Sequence, residues 1–351
     1  MIKFIFLPFL LTFLIFFLFF LWASYPWSLH EKKISPEVYS LRIDPSVNIE
    51  ENPSVLKILT YNLSFLYGKG SEGPLYEKRG KEFYEEQLKK ASEEIKEWDA
   101  DIVCLQEVDF SGDRSHDLNQ AHLIAKNSNY PFVAEAPSWV SNYIPFPYWP
   151  IKNHFGRIKS GGAILSKYPL SLHEVTLFSK PASKPWWYNL FYLHRYVQKV
   201  TVTVGDQIFN ILNVHLEAFD KTDRQKQIKL LLSKIQKENP HFVAGDFNMV
   251  PTIATKKSKF FNEDNYEFDT SFEDMKTSGF LEVIPEEIYQ KDEGLYFTFP
   301  AWAPDRRLDY IWYKKDLKMM KAEVLPSALS DHLPLKASFQ ISGPNFNPYS
   351  Q

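Results

Sequence analysis

His241-Phe242-Val243-Ala244-Gly245-Asp246-Phe247-Asn248 is an apolar run that delivers an acid and an amide, two residues apart, to one point. Side chains alternate across an extended chain, so Asp246 and Asn248 are expected on the same side where a buried strand ends. The arrangement recurs along the chain. Val55 to Tyr61 ends in Asn62, and Asp101 to Gln106 runs into Glu107. Phe209 to Val214 leads into His215, Leu308-Asp309-Tyr310-Ile311-Trp312 holds one acid inside a hydrophobic strand, and Ser330-Asp331-His332-Leu333-Pro334 opens the last strand candidate. One Asn or Asp at a strand end more often closes a turn than performs chemistry. A lone histidine such as His215 is more often a satisfied strand-end residue than a reactive one. Six interruptions of apolar periodicity in one chain point to a shared site instead.

Thr60-Tyr61-Asn62, Leu105-Gln106-Glu107, Asn213-Val214-His215, Gly245-Asp246-Phe247-Asn248, Arg307-Leu308-Asp309-Tyr310 and Ser330-Asp331-His332, in that order, resemble the endonuclease/exonuclease/phosphatase superfamily. This pancreatic-deoxyribonuclease-like group includes neutral sphingomyelinases, inositol polyphosphate 5-phosphatases, apurinic endonucleases and deadenylases. The likeness runs from about Val55 to Phe339. It implies a four-layer α/β sandwich, in which two packed mixed sheets are flanked by helices. It also implies phosphoester hydrolysis by in-line attack of water.

Phosphate esters are anionic and resist attack, so a catalyst must neutralise charge, generate a nucleophile and support the leaving oxygen. Hard oxygen ligands with retained waters suit Mg²⁺, with Mn²⁺ as a substitute, better than zinc. Glu107 is the principal metal-ligand candidate, with Asn62 beside it and Asp331 serving the ion directly or through water. Asp246 is the candidate general base, and Asn248 would orient the water or a phosphate oxygen through its amide. Asp309 lies between Leu308 and Tyr310 and needs a partner to survive burial, for which His332 is the natural choice. In the superfamily picture Asp309 fixes the His332 imidazole, His332 binds the scissile phosphate, and His215 donates a hydrogen bond to a phosphate oxygen.

Composition sets the outer limits. The 351 residues are 44% hydrophobic and 24% charged, which is the balance of a folded chain. Lys plus Arg is 40 against 43 Asp plus Glu, a net charge of −3 that lacks a basic nucleic-acid footprint. The only cysteine, Cys104, lies in a strand candidate and reads as buried. Phe4 to Trp22 is uncharged and includes eight phenylalanines, so residues 1–24 are expected to form a transmembrane anchor. Ala23-Ser24 is a poor cleavage site because Leu21 breaks the small-x-small pattern. Residues 25–53 carry Pro26, Pro36, Pro45 and Pro53 and read as a tether, 54–341 as one domain, and 342–351 as a tail. The N-terminal place of the anchor favours a single-pass protein with its domain outside the cytoplasm.

Tyr76 to Trp98 and Asp223 to Gln236 have apolar residues at helical spacing, and the second helix carries Arg224 and Gln227 in expected structural roles. Strand candidates lie at Gly161–Ser166, Val197–Val204, Gln207–Val214, His241–Asp246, Leu308–Tyr313 and Leu335–Phe339. Strands in adjacent pairs with a helix in each half suggest two sheets face to face.

The branch of the superfamily is less marked. Ser64 stands where apurinic endonucleases carry an acid, and Met249 replaces the aromatic-Arg pair expected of 5-phosphatases, although Pro300-Ala301-Trp302 and Asp305-Arg306 resemble part of their signature. Two aromatic segments, Trp139 to Phe155 and Pro185 to Tyr196, combine apolar rings with polar handles. Prolines place the first on a loop. These rings can pack over the sandwich, meet lipid as in neutral sphingomyelinases, or stack on nucleic-acid bases. The expected substrate is a lipid-headgroup phosphoester. The alternatives are a DNA or RNA nuclease and an inactive membrane-tethered binding module.

Overall fold

The computed structural model describes residues 2–25, 37–68, 77–262 and 264–341, without the side chains of residues 2–7. The tail at 342–351 and positions 26–36 of the expected tether lie outside the described residues. The strands are β1 (Glu37–Ser40), β2 (Val55–Asn62), β3 (Ile102–Gly112), β4 (Phe132–Ile144), β5 (Gly156–Ser166), β6 (Leu170–Leu177), β7 (Tyr196–Val204), β8 (Gln207–His215), β9 (Phe242–Asp246), β10 (Leu281–Glu282), β11 (Asp309–Tyr313), β12 (Lys318–Val324) and β13 (Leu335–Gln340). One sheet has the order β1-β4-β5-β3-β2-β13-β12 and the other β10-β11-β9-β8-β7-β6. Both are mixed, because β2 pairs with β3 and β8 with β9 in parallel while the other neighbours are antiparallel.

The helices are α1 (Ile2–Ala23), α2 (Lys81–Trp98), α3 (Gln120–Asn127), α4 (Trp186–Phe191), α5 (Lys221–Glu238), α6 (Ser271–Lys276) and the short α7 (Glu286–Tyr289). The sheets meet through Leu56, Ile58, Ile102, Cys104 and Ile164 on one side and Val200, Val202, Phe209, Ile211 and Phe242 on the other. Burying each such side chain stabilises the fold by about 1.5–3 kcal/mol relative to exposure. Leu88, Ile95 and Trp98 of α2 and Ile124 of α3 cover the outer face of the first sheet. Ile228, Leu231 and Ile235 of α5, with Phe272 of α6, cover the second. The four-layer sandwich expected from the motifs is therefore present.

Each parallel pair is joined by an 18-residue crossover helix. The Asp220 side chain caps α5 by accepting from the backbone amides of Thr222 and Asp223, a contribution of about 1 kcal/mol. Arg224 bonds Asp269 at 2.8 Å and the Glu217 carbonyl at 2.6 Å, and Gln227 accepts from the Glu217 amide, so both hold the segment after β8. Cys104 is buried and unpaired, with burial pushing its thiol up to about 12.

Three expectations change. Among the described residues no helix is long and apolar enough to cross a membrane, and the side chains of residues 2–7 at the start of α1 lie outside that set. Glu37–Ser40, inside the expected tether, is an edge strand paired antiparallel with β4 from Glu37↔Glu135 to Ser40↔Phe132. The first aromatic segment is only partly a loop. Trp139 to Ile144 belong to β4, which accommodates Pro137 beside a register shift between Pro137 and Trp139.

Candidate functional site

The parallel pairs point their C-terminal ends the same way, and register brings the polar residues together there. His215 faces Asp246 across β8 and β9, and Asp309 faces Asp246 across β11 and β9. Glu107 sits at a register shift of β3 between Leu105 and Val108, with φ of 52°. A bulge of this kind re-aims a side chain, at a backbone cost of about 1 kcal/mol or more. Gly245 has φ of 150°, and a Cβ there would lie 1.9 Å from the Val214 carbonyl oxygen, so β8 and β9 close on the site only with glycine present.

Asp246 and Asn248 do meet, but by a turn and not by strand alternation. β9 ends at Asp246 and Asn248 adopts φ of 50°, which lets its backbone amide donate to Asp246 Oδ1 at 2.9 Å and its side chain to Oδ2 at 3.0 Å. Asn62 Nδ2 donates to the same Oδ2 at 3.0 Å, joining the first sheet to the second. Burial raises the Asp246 pKa, and His332 opposes that shift. Asn62 Oδ1 accepts from the Ser64 amide at 3.0 Å.

His332 Nδ1 lies 2.8 Å from Asp309 Oδ2, the pairing expected from sequence. Burial opposes protonation of this imidazole, but Asp309 and then Asp246 outweigh it and raise the pKa to about 10. Ser330 ties the loop down, since its hydroxyl donates to the Asn62 carbonyl at 2.6 Å and accepts from the His332 amide at 3.1 Å. His215 Nε2 is 3.5 Å from Asp246 Oδ2 and 3.7 Å from Glu107 Oε1. Burial, Arg195 and His332 push its pKa well down, so it is neutral near neutral pH.

Arg195 was not singled out in the sequence. It is buried just before β7, touches His215 through Nη1, and lies 3.6 Å from Glu217. Its position follows from the Tyr196↔His215 register, so the available signal was a lone cation at the entry to a strand whose neighbour carries His215.

The cavity that contains Glu107, Arg195, His215, Asp246, Asn248, Asp331 and His332 has a volume of about 990 Å³. Asn62 and Asp309 stand behind this floor as hydrogen-bond partners of Asp246 and His332. Asp246, Asp309 and His332 offer ligand atoms within 4.8 Å of one another and could hold a metal ion. Within that trio, however, Asp309 Oδ2 engages His332 and Asp246 Oδ2 accepts from two amides. Glu107 presents a different balance: its side chain is 23% exposed, and burial followed by the nearby Asp331 charge raises its pKa to about 7. Acids gathered this closely fit a divalent cation, which would offset their repulsion.

The endonuclease/exonuclease/phosphatase family model matches residues 59–332. The chain belongs to that family. The coarse activity that goes with membership is hydrolysis of phosphoester bonds. Among solved structures, an endonuclease/exonuclease/phosphatase from Beutenbergia cavernae is 17% identical, with a TM-score of 0.61 over 83% of this chain and 72% of that one. A mannosyl-6-phosphatase from Bacteroides thetaiotaomicron is 16% identical, with a TM-score of 0.55 over 81% and 99% of the two chains. A humanized D. rerio TDP2 is 17% identical, with a TM-score of 0.52 over 82% and 99%. At these identities the likeness is one of fold. No curated protein matches in sequence.

Proposed function

We propose that the chain is a Mg²⁺-dependent hydrolase, held at a lipid surface through residues 4–22, that cleaves a phosphoester in a lipid headgroup. The composition of the cleft carries this reading. Its floor holds acids, an amide and histidines, its walls are aromatic, and Arg195 is the only Lys or Arg among the described residues lining it. A nucleic-acid groove tracks a ladder of phosphates with several cations, which this cleft lacks. Trp186 lines the cleft and is 71% exposed, and Trp149, next in sequence to the lining Tyr148, is 78% exposed; indole rings suit a boundary between water and lipid.

Glu107 and Asp331 would hold the cation, with Mn²⁺ as a substitute and with Asn62 behind them fixing Asp246, and once bound it would supply positive charge against the phosphate oxygens. Asp246 takes a proton from the attacking water as the water oxygen bonds to phosphorus and the bond from phosphorus to the leaving oxygen breaks. His332, fixed by Asp309, donates to the phosphoryl group, and the leaving oxygen takes its proton from solvent. His215 and Asn248 hydrogen-bond its other oxygens as charge builds.

The test is a release assay with the purified full chain in detergent micelles. Vesicles of phosphatidylcholine and sphingomyelin are compared with single- and double-stranded DNA, each with and without Mg²⁺. Mg²⁺-dependent release of phosphorus-bearing headgroup, faster than any DNA cleavage, is expected. DNA cleavage with intact lipid would establish the nuclease alternative, and no hydrolysis of either would favour a binding module.

A further inference from the structure

α1 is fastened to the catalytic domain. The last carbonyls of a helix have no partner within it. Here the β4 residue Ser141 donates its hydroxyl to the Ala23 carbonyl at 2.6 Å, and Asn142 donates its side-chain amide to the Trp22 carbonyl at 3.0 Å. The Asn142 backbone amide donates to the Tyr25 carbonyl at 3.0 Å. Rings reinforce the joint: Phe19 meets Tyr143 at 5.7 Å between centroids, and Phe20 meets Phe191 of α4 at 5.3 Å. Ser141, Asn142 and Tyr143 lie in the aromatic segment whose role the sequence left open.

The docked helix turns one face toward the site. Phe13, Phe16, Phe17 and Phe20 follow helical i, i+3, i+4, i+7 spacing and line the same cavity as Glu107, Asp246 and His332. Ile15 and Leu18, on the other side of α1, do not line it, while Phe19 reaches it beside the joint with Tyr143. From Phe13 to Ala23 the helix rises about 15 Å, roughly half the thickness of a hydrocarbon layer. Phe13 and Phe16 are 69% and 68% exposed, so the ring face is available to an apolar occupant.

We propose that α1 is a wall of the substrate cleft, and that this phenylalanine face receives the hydrocarbon tail of an amphiphilic phosphoester whose phosphorus rests on the polar floor. The proposal rests on the lipid-headgroup reading and adds a role for α1 beyond tethering: the element that engages the lipid surface also selects the substrate. One continuous cavity joins floor and wall, which makes the tail of the substrate itself the fitting occupant.

The test compares para-nitrophenyl hexadecyl phosphate with para-nitrophenyl methyl phosphate, using the full chain in detergent micelles with Mg²⁺. The parent is expected to favour the hexadecyl ester in kcat/KM, and Phe16→Ala/Phe20→Ala to cut that preference about tenfold, the scale of a few lost methylene contacts. Ile15→Ala/Leu18→Ala removes similar apolar bulk from the opposite side and should keep the preference. If the phenylalanine pair keeps it too, the wall assignment falls while the lipid reading stands. If the parent cleaves both esters equally well, both fall. Should the alanine pair lose methyl-ester turnover through misfolding, Phe13→Gln/Phe16→Gln, at the solvent-exposed end of the face, carries the same comparison, with retained preference again overturning the wall.

Discussion

The floor of the cleft and its walls are built by opposite means. Floor residues sit at strand ends, where register fixes them: Asp246 lies opposite both His215 and Asp309 and is buried with them. The walls come from α1, the six-residue α4 and the segment around Phe146 and Tyr148, and several of their rings stand in solvent. Chemistry at phosphorus needs atoms held to within about 0.5 Å, which packed sheets provide. Holding a hydrocarbon surface needs area without fixed orientation, because apolar burial is non-directional. Changes in the floor should therefore act on turnover, and changes in the walls on binding and partition.

The largest effect is expected from Asp246→Ala. Removing the proposed general base should lower kcat by about 10²- to 10⁴-fold with little change in vesicle binding. A purified variant that hydrolyses every tested ester as fast as the parent would remove Asp246 from the floor. Asp309→Asn comes next, at about 10²-fold in kcat, because the amide preserves the shape but not the charge that orients and protonates His332. If the loss appears in vesicle binding and not in kcat, the division between floor and wall is misdrawn.

Glu107→Gln probes the floor through the cation. The Mg²⁺ concentration for half-maximal activity should rise about tenfold, a typical loss when one element of a metal site is weakened. An unchanged titration would shift the metal site toward Asp246, Asp309 and His332, whose ligand atoms are also close together.

The same division explains what the sequence revealed. Asn62, Glu107, His215, Asp246, Asp309 and His332 were visible because each interrupts an apolar run at a strand end, and the sandwich follows from those runs. β4 was obscured because Pro137 and its register shift break alternation within a 13-residue strand. β6, Leu-Ser-Leu-His-Glu-Val-Thr-Leu, is a sheet edge with exposed polar positions and a register shift between Ser171 and Glu174, so its periodicity is weak. Arg195 depends on which strand lies beside β7, a tertiary fact with no local mark. The docking of α1 likewise depends on Ser141 and Asn142, two polar residues unremarkable until Ala23 and Trp22 are placed against them.

The smallest effect is expected from Trp149→Ala. This side chain is 78% exposed and belongs to neither the floor nor the cavity lining, so its loss should leave folding stability within about 0.5 kcal/mol of the parent. Membrane attraction scales with the apolar area that enters the interface, and one indole among several rings supplies a modest share. Partition onto phosphatidylcholine and sphingomyelin vesicles, measured by co-sedimentation, should weaken about 2- to 5-fold. The loss should be confined to KM in the vesicle assay. A matching fall in kcat would mean that the rim positions reacting groups, and chemistry and lipid contact would no longer be separable in this fold. Unaltered partition would instead place the lipid contact on α1 and the α4 tryptophans, moving the boundary of the wall inward from the loop.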